Sequence, residues 1–235
     1  MGRSFNGSSD FAKFAGAITA RPMSMACWFY TGSIAANQCL MFEGDDGFNH
    51  EQMMYLNTSQ KLVGADRSNS ATTTASYTLN AWQHAAVTFG AADTVQIFLN
   101  GANKIANAAG AGTQLNSYFQ LGQLSNSGIW WMNGRIAEAA VWNVVLTDAE
   151  IAALATGVMP YRIRPASLKA YWPLWGLASP EVDLSGLKQN LTLTGTGQGN
   201  HATVTPFTRK IQTRPDLIAG GAQPMPWPIL AGRAA

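Results

Sequence analysis

A strand-turn-strand run closed by one short helix occupies residues 82–154, and it constrains the fold more than any other stretch of this chain. It opens Trp82-Gln83-His84-Ala85-Ala86-Val87-Thr88-Phe89 and continues Val95-Gln96-Ile97-Phe98-Leu99-Asn100-Gly101. Apolar and polar residues alternate over 95–99, which is the period of a strand rather than a helix. Asn100-Gly101 reads as a hairpin turn, because both residues tolerate the positive φ that a tight turn needs. The run ends Gly134-Arg135-Ile136-Ala137-Glu138-Ala139-Ala140-Val141-Trp142-Asn143, then Leu146-Thr147-Asp148-Ala149-Glu150-Ile151-Ala152-Ala153-Leu154. Thr147 caps the helix, Glu150 three residues on completes a capping box, and Ile151 and Leu154 supply an apolar face.

Taken in order and at this spacing, these segments resemble the signature of the laminin-G-like branch of the concanavalin A-like jelly rolls. Those domains read W-x-H-v-A-v-t, then v-x-l-y-v-D/N-G, then G-x-I-D-E-v-r-i-y-n with L-s-x-x-E-I-x-x-L. Phe5-Asn6-Gly7-Ser8-Ser9-Asp10-Phe11 resembles their F-D-G-S-x-D-Y turn, and Met23–Thr31 their s-i-s-a-W-v-k strand, with Trp28 in the tryptophan position. The resemblance implies an all-β fold, a two-sheet antiparallel jelly-roll sandwich with one short helix near 147–155, to which the proline-rich C-terminal stretch adds an extended arm. Strands are expected at 23–31, 38–43, 53–57, 61–65, 71–79, 84–89, 95–99, 119–121 and 136–142. The expected core includes Trp28, Trp82, Val87, Phe89, Ile97, Leu99, Leu121, Ile136, Val141, Ile151 and Leu154.

After Gly157 the order of motifs changes. Ser167-Leu168-Lys169-Ala170-Tyr171-Trp172-Pro173-Leu174, followed by Asp183-Leu184-Ser185-Gly186 and Asn190-Leu191-Thr192-Leu193-Thr194-Gly195, resembles the l-v-a-y-W-p-l … D-x-S-G … l-t-l-t-G run that opens such a domain. Here it stands last, so the chain resembles a circularly permuted member, a change that is well tolerated where termini lie close together. This gives a single sandwich over 1–200, with 1–157 as its main part and 167–195 as completing strands. The alternative is a second, truncated domain starting at 167, although some forty residues cannot build a sandwich.

The stretch 205–235 has neither strand nor helix periodicity. Pro206, Pro215, Pro224, Pro226 and Pro228 are interleaved with Phe207, Trp227, Ile229 and Leu230. Such a segment has no core of its own. It reads as an extended arm that docks on a neighbouring subunit through Trp227, Ile229 and Leu230, or as one folded back on its own sandwich.

Charge narrows the partners. Only 12% of the residues are charged, about half the usual share, and a net charge of +2 argues against nucleic acid. Residues 1–157 carry seven Lys/Arg against ten Asp/Glu and residues 158–235 eight against three, which makes the C-terminal part mildly basic. No run of ~20 apolar residues exists to span a membrane. Met1-Gly2-Arg3-Ser4-Phe5 runs into a domain motif without the apolar region of a signal peptide, so export by the usual routes is not expected. Cys27 and Cys39 flank an apparent hairpin, where a pair of buried thiols or a disulfide would fit.

Catalysis needs groups that the sequence does not display. Glycoside hydrolases of this fold set two carboxylates on one strand face, as E-x-D-x-x-E or E-x-D-x-E. Glu138 is the nearest candidate, but Ile136 and Ala140 beside it are apolar and the family's preceding Asp is Ala137. A structural role is expected for it, and His84, in the W-x-H position, reads as a satisfied, half-buried histidine. No nucleophile triad, phosphate loop or zinc spacing appears. No cofactor is required. Calcium is the family's common ion, and Asp45, Asp46 and Asn49 in the loop Gly44-Asp45-Asp46-Gly47-Phe48-Asn49 are the oxygen ligands it would use. Glycan binding needs an aromatic platform beside amides, and Asn126, Trp130 and Trp131 are the candidates. Adjacent tryptophans on a strand point to opposite faces, so one of the pair is expected in the core and the other outside.

Two function classes follow. The first is a non-enzymatic virion structural protein, such as a bacteriophage capsid decoration, head-fibre or tail component, assembled with other copies of itself and binding glycans. The second is a bacterial carbohydrate-binding lectin module or residual glycoside hydrolase, at the cell surface or in the cytoplasm. The first rests on the resemblance, the low charge and the arm.

Overall fold

The computed structural model describes residues 2–45, 51–66, 69–90, 94–108, 116–125, 128–176 and 178–202. Short alternating runs become strands β1 (Gly2–Asn6), β2 (Phe11–Phe14), β3 (Met23–Thr31), β4 (Gln38–Gly44), β5 (Gln52–Leu56), β6 (Leu62–Asp66) and β7 (Asn69–Thr72). The opening motif gives β8 (Gln83–Phe89), β9 (Thr94–Leu99) and, beyond the hairpin, β10 (Ala102–Ala108). Then come β11 (Tyr118–Leu121), β12 (Asn133–Trp142), helix α1 (Asp148–Ala155), β13 (Leu168–Trp172), β14 (Thr192–Thr194) and β15 (Gly197–Gly199).

Among the described residues the strands form two antiparallel sheets. The first runs β10-β9-β8-β3-β12-β1-β15, with β13 also on β12, and the second runs β14-β2-β11-β4-β5-β6-β7. At ten residues, β12 is twice as long as either partner on its far edge. β1 pairs with its first half (Arg3 opposite Ile136) and β13 with its second half (Ala140 opposite Tyr171). Residues remote in sequence thus share one edge, and strands from the 167–199 segment extend both sheets. A buried ion pair, Arg3 to Glu181 at 2.7 Å, ties the N-terminal strand to that segment. The Asp183 carboxylate accepts the N–H groups of Tyr171, Ser185 and Gln189, which fixes the D-x-S-G turn.

Period-2 alternation decides what lies between the sheets. Met25, Cys27 and Phe29 of β3 face inward with Val87 and Ile136, against Met41, Met54, Phe119 and Leu121 of the second sheet. Trp172 stacks on Phe119 with ring centroids 4.9 Å apart. Each large side chain buried this way contributes about 1.5–3 kcal/mol. Helix α1 closes the outer face of the first sheet, where Ile151 and Leu154 pack with Phe98, Ala140, Trp142 and Tyr171. Its capping box forms as the sequence implies, with the Thr147 side chain accepting from the Glu150 N–H and Glu150 reaching back to Thr147 N–H. Asn100 and Gly101 both adopt positive φ in the β9-β10 turn.

Two expected core residues lie elsewhere. Trp28 and Trp82 are half-buried, whereas the other expected core residues are buried. The inward phase of β3 belongs to Phe29, so its neighbour Trp28 must face out. The strand expected over 71–79 ends at Thr72. Cys27 and Cys39 are free, buried thiols: Cys27 belongs to the core between the sheets and Cys39 to a separate apolar cluster on the second sheet. No described helix is long and apolar enough to cross a membrane.

Candidate functional site

With Ala12, Met41, Met54 and Leu121 facing the core, alternation turns Phe11, Lys13, Phe42, Tyr55 and Gln120 of the second sheet outward. Cys39, Phe42, Met53, Ala65, Tyr118 and Leu124 form an apolar cluster on this outer face, with Tyr55 and Trp130 packed against it. The Lys13 ammonium sits 4.2 Å from the Tyr118 ring centroid.

The segment leading to β12 folds back over this face. Its backbone is pinned by Leu124 N–H to Ile129 O (3.0 Å), Met132 N–H to Gly122 O (2.8 Å) and Cys39 N–H to Trp130 O (2.8 Å). Trp130 has φ +54°, a left-handed conformation that is a genuine outlier for a bulky residue. Strand alternation therefore fails here, and the expectation of one core and one outer tryptophan is corrected: both are half-buried. Trp130 lies against Tyr55 at 4.7 Å between ring centroids, and Trp131 lies near Phe11 at 6.2 Å. Gly128, also at positive φ, lets the Trp131 ring and the Gln123 amide approach, since a Cβ there would lie 3.3 Å from the one and 3.8 Å from the other. Gln123 is buried, and its Oε1 has no hydrogen-bond partner among the described residues. Neither the left-handed Trp130 nor Gln123 was singled out from the sequence; Gly128 after an Asn-Ser pair was the one local signal of a tight turn.

The other candidates are scattered. Asp45 is half-buried, and its backbone carbonyl accepts the Tyr118 hydroxyl at 3.5 Å. Asp46, Asn49, Asn126, Trp227, Ile229 and Leu230 lie outside the described residues. Among the described residues no group of three His, Cys, Asp or Glu side chains could hold a metal ion, and two of the three expected calcium ligands, Asp46 and Asn49, lie outside them.

Glu138 occupies a second location, on the outer face of the first sheet. It sits at a bulge in β12 with φ +52°, between the stretches paired to β1 and β13, and its N–H donates to Pro173 O. The bulge removes it from the Ile136 face where alternation would put it: Ile136 is in the core, Glu138 points outward. Its carboxylate is 3% exposed and accepts the Tyr171 hydroxyl, with His201 Nε2 at 3.1 Å. Burial draws the His201 pKa down, but the Glu138 carboxylate and the carbonyls of Ala202 and Pro173 more than offset it, and the net shift is upward. His84 is fully buried rather than half-buried, edge-on to Trp28 at 5.5 Å, with no partner for Nδ1 among the described residues. Burial lowers its pKa to about 3, so the ring is neutral. The space between Trp28, His84 and Glu138 is about 10 Å³, at the threshold for a single water and far below a sugar ring.

A family model described as the concanavalin A-like lectin/glucanases superfamily matches residues 6–152. No curated protein sequence matches the chain. A Bacteroides ovatus protein with an inferred carbohydrate-binding role superposes with a TM-score of 0.67 at 19% identity, over 87% of this chain and 62% of its own length. The chain thus spans about three fifths of that protein. A carbohydrate-binding module of a Ruminococcus gnavus sialidase, bound to α2,3-sialyllactose, gives a TM-score of 0.54 at 15% identity, over 65% of this chain and 97% of the module. Domain 4 of a Geobacillus stearothermophilus extracellular arabinanase, in complex with arabinotriose, gives 0.52 at 20% identity, over 65% and 75%. At these identities the likeness carries the fold alone.

Proposed function

The chain belongs to the concanavalin A-like lectin/glucanases superfamily, and from that premise we propose that it is a non-catalytic glycan-binding module whose platform is the Trp130–Trp131 segment on the outer face of the second sheet. One observation carries this reading: the Trp131 ring and the Gln123 amide both come close to Gly128, and that amide's carbonyl oxygen is unpaired among the described residues. A sugar presents C–H groups to an aromatic face and hydroxyl donors at its edge, so a ring beside an unspent acceptor suits it. Buried acceptors are normally satisfied, and we propose that a shift of the Gln123 side chain on binding brings this one to a glycan hydroxyl. The left-handed Trp130 supports the same assignment, because backbone strain of about 1–3 kcal/mol concentrates at ligand clamps. The neighbouring structures bound to sialyllactose and arabinotriose make an oligosaccharide the natural ligand class to test. Calorimetric titration of oligosaccharides into the wild type and into Trp131→Ala tests the site.

Hydrolysis is not part of the proposal. The Glu138 carboxylate is closed off by Tyr171 and His201, and the adjoining space admits no sugar. Release of reducing sugar by the purified protein, abolished by Glu138→Gln, would overturn this.

We further assign the module to a larger assembly, a bacteriophage capsid decoration, head-fibre or tail protein. The support is the 12% charged content and the resemblance to laminin-G-like modules of phage structural proteins. Mass measurement of the native particle tests it: symmetric copies on a larger shell support the assignment, and a free bacterial lectin contradicts it.

A further inference from the structure

Four of the large apolar side chains exposed among the described residues cluster within thirteen positions: Trp175 (42%), Val182 (55%), Leu184 (46%) and Leu187 (51%). Trp175, Val182 and Leu184, with Pro173 and Pro180, border a groove of about 290 Å³. The one carboxylate there, Glu181, is committed to Arg3 at 2.7 Å and to the Trp175 N–H at 3.2 Å, so the groove offers a partner little charge. A contiguous apolar surface of this kind marks an interaction site.

The chain leaves the described fold at this groove's wall. The Gln198 amide donates to Gly176 O, the His201 ring lies 3.1 Å from Pro173 O, and Ala202 is buried. Beyond it run 33 residues that include Pro224-Met225-Pro226-Trp227-Pro228-Ile229-Leu230, a stretch without charge. Prolines at alternate positions favour an extended polyproline II backbone, and such segments dock in aromatic-lined apolar grooves at small entropic cost.

We infer that this groove is the seat of segment 224–230 of the same chain, with Trp227 as its anchor beside Trp175 and Pro180. A random coil of 21 residues, the number between Ala202 and Pro224, has an end-to-end distance of roughly 25 Å. An attached segment on such a tether has an effective concentration in the millimolar range, which a second copy at micromolar concentration does not match.

Hydrogen–deuterium exchange on the full-length chain tests this, comparing wild type with Trp227→Asp at two protein concentrations. Amides of 174–187 should exchange about tenfold faster in the variant, equally at both concentrations. Trp175→Ala should in turn speed exchange in 225–230. Identical exchange in wild type and Trp227→Asp overturns the inference. So does protection of 174–187 that appears only as a dimer forms, since a second copy would then be the occupant.

Discussion

Trp130 packs on Tyr55 with ring centroids 4.7 Å apart, although its backbone is in the left-handed region. The contact pins the segment that carries Trp131 across the second sheet. Trp130→Gly keeps the φ but deletes the ring contact, whereas Trp130→Ala loses the contact and keeps the strain. Trp130→Gly should therefore be no less stable than Trp130→Ala, while both lose glycan affinity. Chemical denaturation alongside binding titration checks the pair.

The split edge of β12 makes the last strands part of the sandwich. Truncation after Gly157 removes β13, β14 and β15, leaving half of β12 and the outer edge of β2 unpaired. Open edges of this kind aggregate, so the fragment should be insoluble. A fragment 1–157 that unfolds cooperatively in urea would contradict this.

Trp172 is fully buried, stacked on Phe119, and donates its indole N–H to Gln189 O at 2.7 Å. Trp172→Ala should cost about 3–5 kcal/mol, and Trp172→Phe less. Urea midpoints at constant slope give the comparison.

Two buried groups oppose each other in pH. His84 has a folded pKa of about 3 against 6.5 unfolded, so the unfolded chain takes up the proton first and stability falls as pH drops below 6.5. Glu43 is buried and accepts the Ile18 and Thr19 N–H groups; burial outweighs these bonds and raises its pKa to about 7 from 4.5. Its contribution is present below 4.5 and is lost as pH rises from 4.5 to 7. Each slope is about 1.4 kcal/mol per pH unit, so the wild type should be nearly flat between 4.5 and 6.5. His84→Gln should expose a decline with rising pH, and Glu43→Gln a decline with falling pH.

Burial holds the Cys27 and Cys39 thiols far above their ordinary pKa. A thiol reagent should label neither in the native protein and both after unfolding.

Local chemistry made much of this fold legible. The Asn100-Gly101 turn and the Thr147–Glu150 box depend on neighbours in sequence, and they form as the residues imply. β10 is not legible in the sequence because Ala102–Ala108 contains one β-branched residue and no aromatic. Trp28 lies outside the core because phase, not size, decides which face of β3 a side chain takes. At the candidate site, tryptophan and amide composition drew attention to 126–131, but the positive φ of Trp130 and the approach of Gln123 depend on the chain folding back over the second sheet. Glu138 is legible as a lone carboxylate on its strand. Its bulge is not, because it lies between the stretches of β12 that pair with β1 and with β13, strands more than 160 positions apart in sequence.

The account rests most directly on Trp131. Calorimetric titration of the full-length wild type and Trp131→Ala against a panel of sialylated and arabinose-containing oligosaccharides tests it. The account predicts saturable binding of at least one of them by the wild type and a loss of at least about tenfold, or 1.4 kcal/mol, in the variant with an unchanged unfolding midpoint. Equal affinity in the two proteins, or no binding across the panel by the wild type, would contradict it.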